Sequence, residues 1–100
     1  MEEKIMPPVH PGEILQEEFL NLLGMTAYQL SKAIGVMPPR VYEIVHGERA
    51  VSADTALRLG RYFGTGPEFW INLQSHYDLE VARDRAGEKI EREIEPLSPV

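Results

Sequence analysis

Apolar residues recur at helical spacing along most of the chain, and proline, glycine and hydroxyl residues separate the apolar segments. In the first segment, Pro11 suits a first helical turn and Gly24 suits a helix end. The apolar residues between them fall at i, i+4, i+7 and i+8: Leu15, Phe19, Leu22 and Leu23. This spacing predicts a first helix that packs these four side chains inward.

A second helix and a tight turn are predicted next. Thr26 and Gln29 have the T-x-x-Q spacing of a capping box, and Gly35 supplies the positive φ that a sharp turn needs. The apolar positions between them keep the spacing of one helix face: Ala27, Leu30 and Ile34. The segment therefore predicts a short helix that ends at a glycine turn.

The third helix follows two consecutive prolines. Met37 and Pro38 each precede a proline and are therefore disfavoured in the α region. We expect this helix to begin at Pro39 and to cover about residues 39–46, because proline is tolerated in a first turn. Its inner face is predicted to be Val41, Ile44 and Val45.

Two further helices complete the predicted all-α fold of five helices. Ser52 is the expected cap of the fourth helix, whose inward residues are predicted to be Ala56, Leu57, Leu59, Gly60 and Phe63. Pro67 opens a longer fifth helix that we expect to reach about Ala86. Its apolar stripe consists of Phe69, Trp70, Leu73, Tyr77 and Val81. The pattern predicts no strands.

Composition and charge narrow the class of protein. The 100 residues contain no cysteine, and no apolar run approaches the ~20 residues that cross a bilayer. We expect a cytoplasmic protein without a signal peptide, membrane contact, metal or cofactor. The net charge is −6 overall, but it is +2 over residues 26–63 and −4 over each flank. This central segment is less basic than the patch that nucleic-acid-binding proteins usually carry.

The second and third helices have the spacing of a helix-turn-helix. Ser31 is small where two helices cross, Gly35 lies in the turn, and Val41 and Ile44 anchor the second helix. This is the pattern of lambda-repressor-like DNA-binding domains. The segments HPGEIL, ALRLGRYFG and W-x-NLQ-x-x-YDL, in this order, further resemble the HigA family of antitoxins, also called VapI-like. The resemblance covers roughly residues 10–82.

The resemblance implies a function that the periodicity does not show. Members of this family bind their own operator DNA as homodimers and repress transcription. They also neutralise a HigB-type toxin that cleaves messenger RNA. On this basis we divide the chain into four parts: an N-terminal tail (1–9), a helix-turn-helix DNA-binding domain (10–66), a C-terminal helix for core cover and dimerisation (67–87), and a flexible acidic tail (88–100).

Candidate site residues follow from the predicted outer surface of the two helices. The residues expected to read bases are Pro39, Arg40, Tyr42, Glu43 and His46. Those expected to bind phosphate are Thr26, Gln29, Lys32 and Arg49. Those expected at a dimer interface are Phe69, Trp70, Leu73, Tyr77 and Val81, although the same stripe could serve only as core.

Several of these residues have a purely structural alternative. Arg40 could be a solvated surface residue, and the Tyr42 ring could pack on the domain surface. Glu43 could pair with Arg40 or Arg49, and His46 could cap the end of its helix. Thr26 is a helix cap in either case. The acidic ends could be plain solvated surface or could complement a basic toxin.

Other functions are also open at this stage. The chain could be a stand-alone regulator without a toxin, or an interaction module that has lost DNA binding. An enzyme is the least supported reading: His76 and Glu80 share a helix face, but the sequence has no G-x-S-x-G and no phosphate loop.

Overall fold

The computed structural model describes residues 7–97, and every regular element within that range is helical. Helix α1 (residues 11–23) is followed by α2 (Ala27–Ile34), α3 (Pro38–Val45), α4 (Ala53–Phe63) and α5 (Pro67–Glu93). The predicted all-α class and the number of helices are thus confirmed. The predictions for residues 1–6 and 98–100 lie outside the described residues.

Helix α1 changes its winding in the middle, and this corrects its predicted inner face. It consists of α-helical Pro11–Ile14, a π-helical segment Leu15–Leu20 and α-helical Asn21–Leu23. A π turn holds more residues than an α turn and rotates the residues that follow it. Leu15 and Leu20 are therefore buried, while Leu22 and Leu23 are 75% and 61% exposed, against the prediction.

The core is closed by the start of α5. Trp70 is completely buried, and its Nε1 donates a hydrogen bond to Thr65 Oγ1 over 2.9 Å. Its ring lies 5.1 Å from that of Phe19 and 6.2 Å from that of Phe63, measured between centroids. These aromatic contacts join α1, α4 and α5 around one apolar cluster.

The predicted inner face of α4 is correct except at one position. Ala56, Leu59 and Gly60 are buried, and Phe63 packs partly against the core. Leu57 is 60% exposed, which corrects the prediction, and Thr55 is buried instead. The buried face of α4 runs through residues 55, 56, 59 and 60, and residue 57 lies outside it.

Helix α5 is longer than predicted. It continues through Gly87 to Glu93, so residues 88–93 are helical and not part of a flexible tail. Two ion pairs support this end of the helix, Lys89–Glu93 and Arg92–Glu88, and each joins residues one helical turn apart. The next proline along the chain is at position 96. The molecule is consequently elongated, 52 × 27 × 21 Å. Among the described residues, none of the helices has the length and apolar character needed to cross a bilayer.

Candidate nucleic-acid interface

The N-terminus of α2 is closed by the predicted capping box. Thr26 Oγ1 accepts a hydrogen bond from the Gln29 backbone N–H over 3.0 Å, and Gln29 Oε1 accepts one from the Thr26 N–H over 2.9 Å. Both residues are exposed. Because the box uses the oxygen of the Gln29 amide, its NH₂ group is left to donate to an external acceptor.

The turn between α2 and α3 has the geometry that the sequence predicts. Gly35 ends α2 with φ 75° and ψ 38°, a left-handed conformation that suits glycine. Val36 then packs partly against the core. Val41 and Ile44 are buried on the inner face of α3, and they fix its rotation relative to the rest of the domain.

Helix α3 begins one residue earlier than predicted and ends one residue earlier. Pro38 and Pro39 both lie in its first turn, after Met37 in an extended conformation (φ −70°, ψ 142°). The steric bias of Pro38 away from the α region does not keep it out of the helix, and in the first turn neither proline leaves an intrahelical hydrogen bond unmade. The first available donor, the Arg40 N–H, bonds to Met37 O over 3.0 Å. No side chain caps this helix start.

The five residues predicted to read bases lie on the outer side of α3 or at its end. Pro39, Tyr42 and His46 are exposed, while Arg40 and Glu43 are half-buried. All five side chains are thus at least partly accessible to solvent. Three of these side chains also have partners within the protein: Arg40, Glu43 and His46.

Arg40 is held by α4. Its Nη1 donates to Asp54 Oδ2 over 2.9 Å and lies 3.5 Å from Thr55 Oγ1. The same Asp54 oxygen accepts from Arg58 Nε over 2.8 Å. These hydrogen bonds, from Arg58 first and from Arg40 second, hold the pKa of Asp54 below its ordinary value. Its carboxylate therefore stays charged at neutral pH.

Glu43 and His46 make the contacts within the protein that were the structural alternatives to base reading. Arg49 Nε donates to Glu43 Oε1 over 2.7 Å, which neutralises an acid that would otherwise repel phosphate. His46 Nδ1 lies 2.7 Å from Tyr42 O. A carbonyl oxygen can only accept, so Nδ1 carries the proton and Nε2 of the neutral ring is an acceptor.

Lys32, on α2, lies with its Nζ 5.6 Å from the centroid of the Tyr28 ring. Both residues are exposed. This cation–π contact joins two side chains one helical turn apart on the exposed side of α2. Its charge therefore remains at the protein surface.

His10 caps the start of α1 and connects it to α5. His10 Nδ1 accepts a hydrogen bond from the Gly12 N–H over 2.9 Å and so caps α1. Its ring meets Tyr77 of α5 edge-on, 4.9 Å between centroids. Partial burial lowers the pKa of His10, and this outweighs the opposing effects of Asp78 and the Arg49 backbone. The neutral ring is the form that can accept the capping bond.

The loop between α3 and α4 is attached to α5 by one buried amide. Gln74 Oε1 accepts from the Val51 N–H over 2.8 Å, and Gln74 Nε2 donates to Asp78 Oδ1 over 3.0 Å. Val51 itself is buried. This bond fixes the loop that carries Arg49.

The stripe predicted for dimerisation does not lie on one surface. Trp70 is 0% exposed and belongs to the core, so it cannot contact a second copy in this conformation. Phe69 is partly exposed, and its ring touches those of Phe19 and Trp70. Leu73, Tyr77 and Val81 are partly buried. The structure thus removes one residue from the predicted interface and leaves four accessible.

Three residues that hold this surface in place were missing from the predicted site: Asp54, Arg58 and Gln74. The i, i+4 spacing of Asp54 and Arg58 signals an ion pair, but not that the pair reaches Arg40. Gln74 lies within the segment W-x-NLQ-x-x-YDL that carries the family resemblance, but the hydrophobic pattern alone does not indicate that its amide is buried. Among residues 7–97, no group of three or more histidine or acidic side chains could hold a metal ion.

The fold and this surface define a helix-turn-helix protein of the lambda-repressor type, in which two short crossed helices are presented by a helical core. A family model described as Helix-turn-helix matches residues 17–70. The chain therefore belongs to this family and, within it, to the HigA/VapI-like antitoxin group, as the following relatives show.

The similarity to these relatives extends over most of the chain. Virulence-associated protein I of Dichelobacter nodosus is 53% identical over 77 residues, 77% of this chain and 71% of that protein. Antitoxin HigA-1 of Vibrio cholerae is 37% identical over 90% of this chain and 84% of its own length. The solved structure of Pseudomonas aeruginosa antitoxin HigA with the higBA promoter superposes with a TM-score of 0.88, at 51% identity, over 90% of this chain and 98% of that one.

Proposed function

We propose that this protein is the antitoxin of a HigBA-type module. As a homodimer, it binds the operator of its own operon and represses transcription, and it neutralises an mRNA-cleaving toxin. We assign it no catalytic role, because its family consists of DNA-binding regulators and antitoxins. Because operator DNA and an mRNA-cleaving toxin are its proposed partners, we place it in the cytoplasm.

One observation supports the DNA-binding part of this proposal. The buried inner faces of α2 and α3 hold their outer sides toward solvent, in a chain that matches a HigA–promoter structure over 90% of its length. A helix-turn-helix places its second helix in the major groove and the N-terminus of the first against the backbone. Here those elements are α3 and the capped start of α2.

The available donors and acceptors fit this placement. Arg40 retains guanidinium N–H groups for a guanine edge, and His46 Nε2 is an acceptor for an exocyclic amine. Pro39 and Tyr42 add exposed apolar contacts for a thymine methyl. Thr26, Gln29, Lys32 and Arg49 lie on exposed segments suited to phosphate contact.

The prolines and the acidic net charge also fit an interaction module that has lost DNA binding, so the experiment measures specificity directly. The protein is titrated in a gel shift against the DNA upstream of its gene and against a scrambled duplex, at about 50 and 200 mM salt. Specific retardation of the upstream DNA that weakens steeply with salt supports the proposal. Equal binding to both duplexes would contradict it.

The toxin part is tested separately. The product of the neighbouring gene is expressed alone and together with this protein, and growth and messenger-RNA cleavage are measured. Restored growth and an isolated stable complex support the antitoxin role. If no neighbouring product is toxic while operator binding holds, the protein is a stand-alone regulator.

A further inference from the structure

The start of α3 provides no hydrogen-bond partner for the Arg40 side chain, whose two hydrogen bonds both go to α4. Pro38 and Pro39 have no backbone N–H, and no side chain caps the helix. A long arginine side chain at such a position would sample many rotamers and would lose that freedom on binding DNA. The side chain is nevertheless fixed in the structure, by a residue that lies 14 positions further along the chain.

That residue, Asp54, is itself held on two sides. It lies in the first turn of α4, where the helix dipole favours a negative charge. Its Oδ2 accepts from Arg40 Nη1 over 2.9 Å and from Arg58 Nε over 2.8 Å. Arg58 Nη1 in turn donates to Ile34 O, at the end of α2, over 2.8 Å. One carboxylate oxygen thus connects α3, α4 and, through Arg58, the C-terminal end of α2.

The pairing uses only one corner of the Arg40 guanidinium. Both contacts of its side chain, to Asp54 and Thr55, involve Nη1. A counter-ion that blocked the arginine would engage two donors in a fork. Within residues 7–97, no hydrogen bond involves Nε or Nη2 of Arg40, and these two atoms form an edge that matches the O6 and N7 acceptors of guanine.

We propose that Asp54 is a positioning residue for base reading: its carboxylate fixes Arg40 so that the Nε–Nη2 edge is presented to one guanine of the operator. Asp54 itself does not touch DNA. The inference rests on the proposed operator binding, and the measurements below separate failure of one from failure of the other.

The test compares discrimination and not affinity, because removing any negative charge strengthens binding to all DNA. Dissociation constants are measured for wild type, Asp54→Asn, Arg40→Ala and the double variant, against the operator and its single-base-pair variants. We expect Arg40→Ala to reduce discrimination at one base pair by about 5- to 150-fold. Asp54→Asn should reduce it at the same base pair, and the double variant should lose no more than Arg40→Ala alone.

A matched control removes the same charge elsewhere. Glu68 is an exposed acid in the first turn of α5, as Asp54 is in α4. Glu68→Gln should leave the discrimination at every base pair unchanged. Circular dichroism confirms that each variant is folded. If Asp54→Asn does not fold, Asp54→Glu keeps the charge, moves the carboxylate by one methylene and should also reduce discrimination at that base pair.

Three results would overturn the inference while operator binding stands. Undiminished discrimination in Asp54→Asn would mean that Arg40 needs no support. Tighter and more selective binding would mean that Asp54 blocks Arg40. A uniform loss in Arg40→Ala across all operator variants would mean that the arginine binds phosphate. A wild-type protein that does not distinguish the operator from scrambled DNA would instead refute the proposed function, and the inference with it.

Discussion

The α-carbon of Gly12 lies against the backbone carbonyl of Ile44, so that a β-carbon at position 12 would collide with that oxygen. The obstacle is backbone, which cannot rotate away as a side chain can. We expect Gly12→Ala to lower the free energy of unfolding by about 1–3 kcal/mol, the usual cost of overpacking. Urea denaturation measures this change.

Gly87 provides the control for that substitution. A β-carbon there would meet only Arg83 Cβ at 3.7 Å, an ordinary contact, within the long helix α5. Gly87→Ala should therefore stabilise the protein by about 0.5–1 kcal/mol through helix propensity. Equal effects of the two substitutions would show that the contact between α1 and α3 is not tight.

Lys32 tests the phosphate assignments. If its ammonium contacts the DNA backbone, Lys32→Ala weakens binding to all sequences alike and reduces the salt slope by about 1. Lys89→Ala serves as the control, because Lys89 lies near the end of α5, where its Nζ is 3.9 Å from Glu93 Oε2. A loss of discrimination at a single base pair in Lys32→Ala would assign this lysine to a base instead.

Val81 tests the dimer. We expect a homodimer at micromolar concentration in sedimentation equilibrium, and Val81→Asp should weaken its association at least about tenfold because a charge would be buried. Ala82→Asp places the same charge on the exposed neighbouring position. A wild-type monomer, or the same loss in both variants, would contradict an interface along this side of α5.

His10 makes stability depend on pH. Its pKa is lowered in the folded state because of burial, so the unfolded chain binds the proton more readily. The stability that comes from the neutral ring is present above the ordinary value of 6.5 and is lost as the pH falls through the folded pKa. Urea midpoints measured from about pH 8 to about pH 5 should therefore decline.

His10→Asn isolates this effect. Asparagine retains a side-chain oxygen that can cap α1 but does not titrate. The decline of the urea midpoint with falling pH should be smaller in this variant than in wild type. An unchanged pH profile would assign the decline to other groups.

Gln74 tests the attachment of the loop. Gln74→Leu leaves the buried Val51 N–H without its acceptor, and we expect a loss of about 1–3 kcal/mol in the free energy of unfolding. Asn72→Leu, at an exposed position of the same helix, should cost much less. Comparable losses would show that the Gln74–Val51 bond contributes little.

The sequence predicted the features that depend on local chemistry. The capping box of Thr26 and the glycine turn at Gly35 were both found where expected, because each requires particular residues at fixed spacing. The inner face of α3 was likewise readable from its period. Local rules suffice for these elements.

Features that depend on winding or on distant partners were not predicted. The π-helical segment of α1 shifts the apolar face, and no residue type signals that shift. The composition of the charged, glycine-containing segment after residue 86 favours a flexible tail, whereas its ion pairs at i, i+4 spacing support a helix. The Arg40–Asp54 pair joins residues from two helices and needs the tertiary fold to be visible.

The two prolines that open α3 bear on how the protein would search for its operator. A helix start rich in free N–H groups attaches to any phosphate it meets, whatever the sequence. Pro38 and Pro39 remove two such groups and also hold φ near its helical value. The first turn of α3 is thus rigid before contact and offers little to random DNA, so residence on wrong sites should be brief.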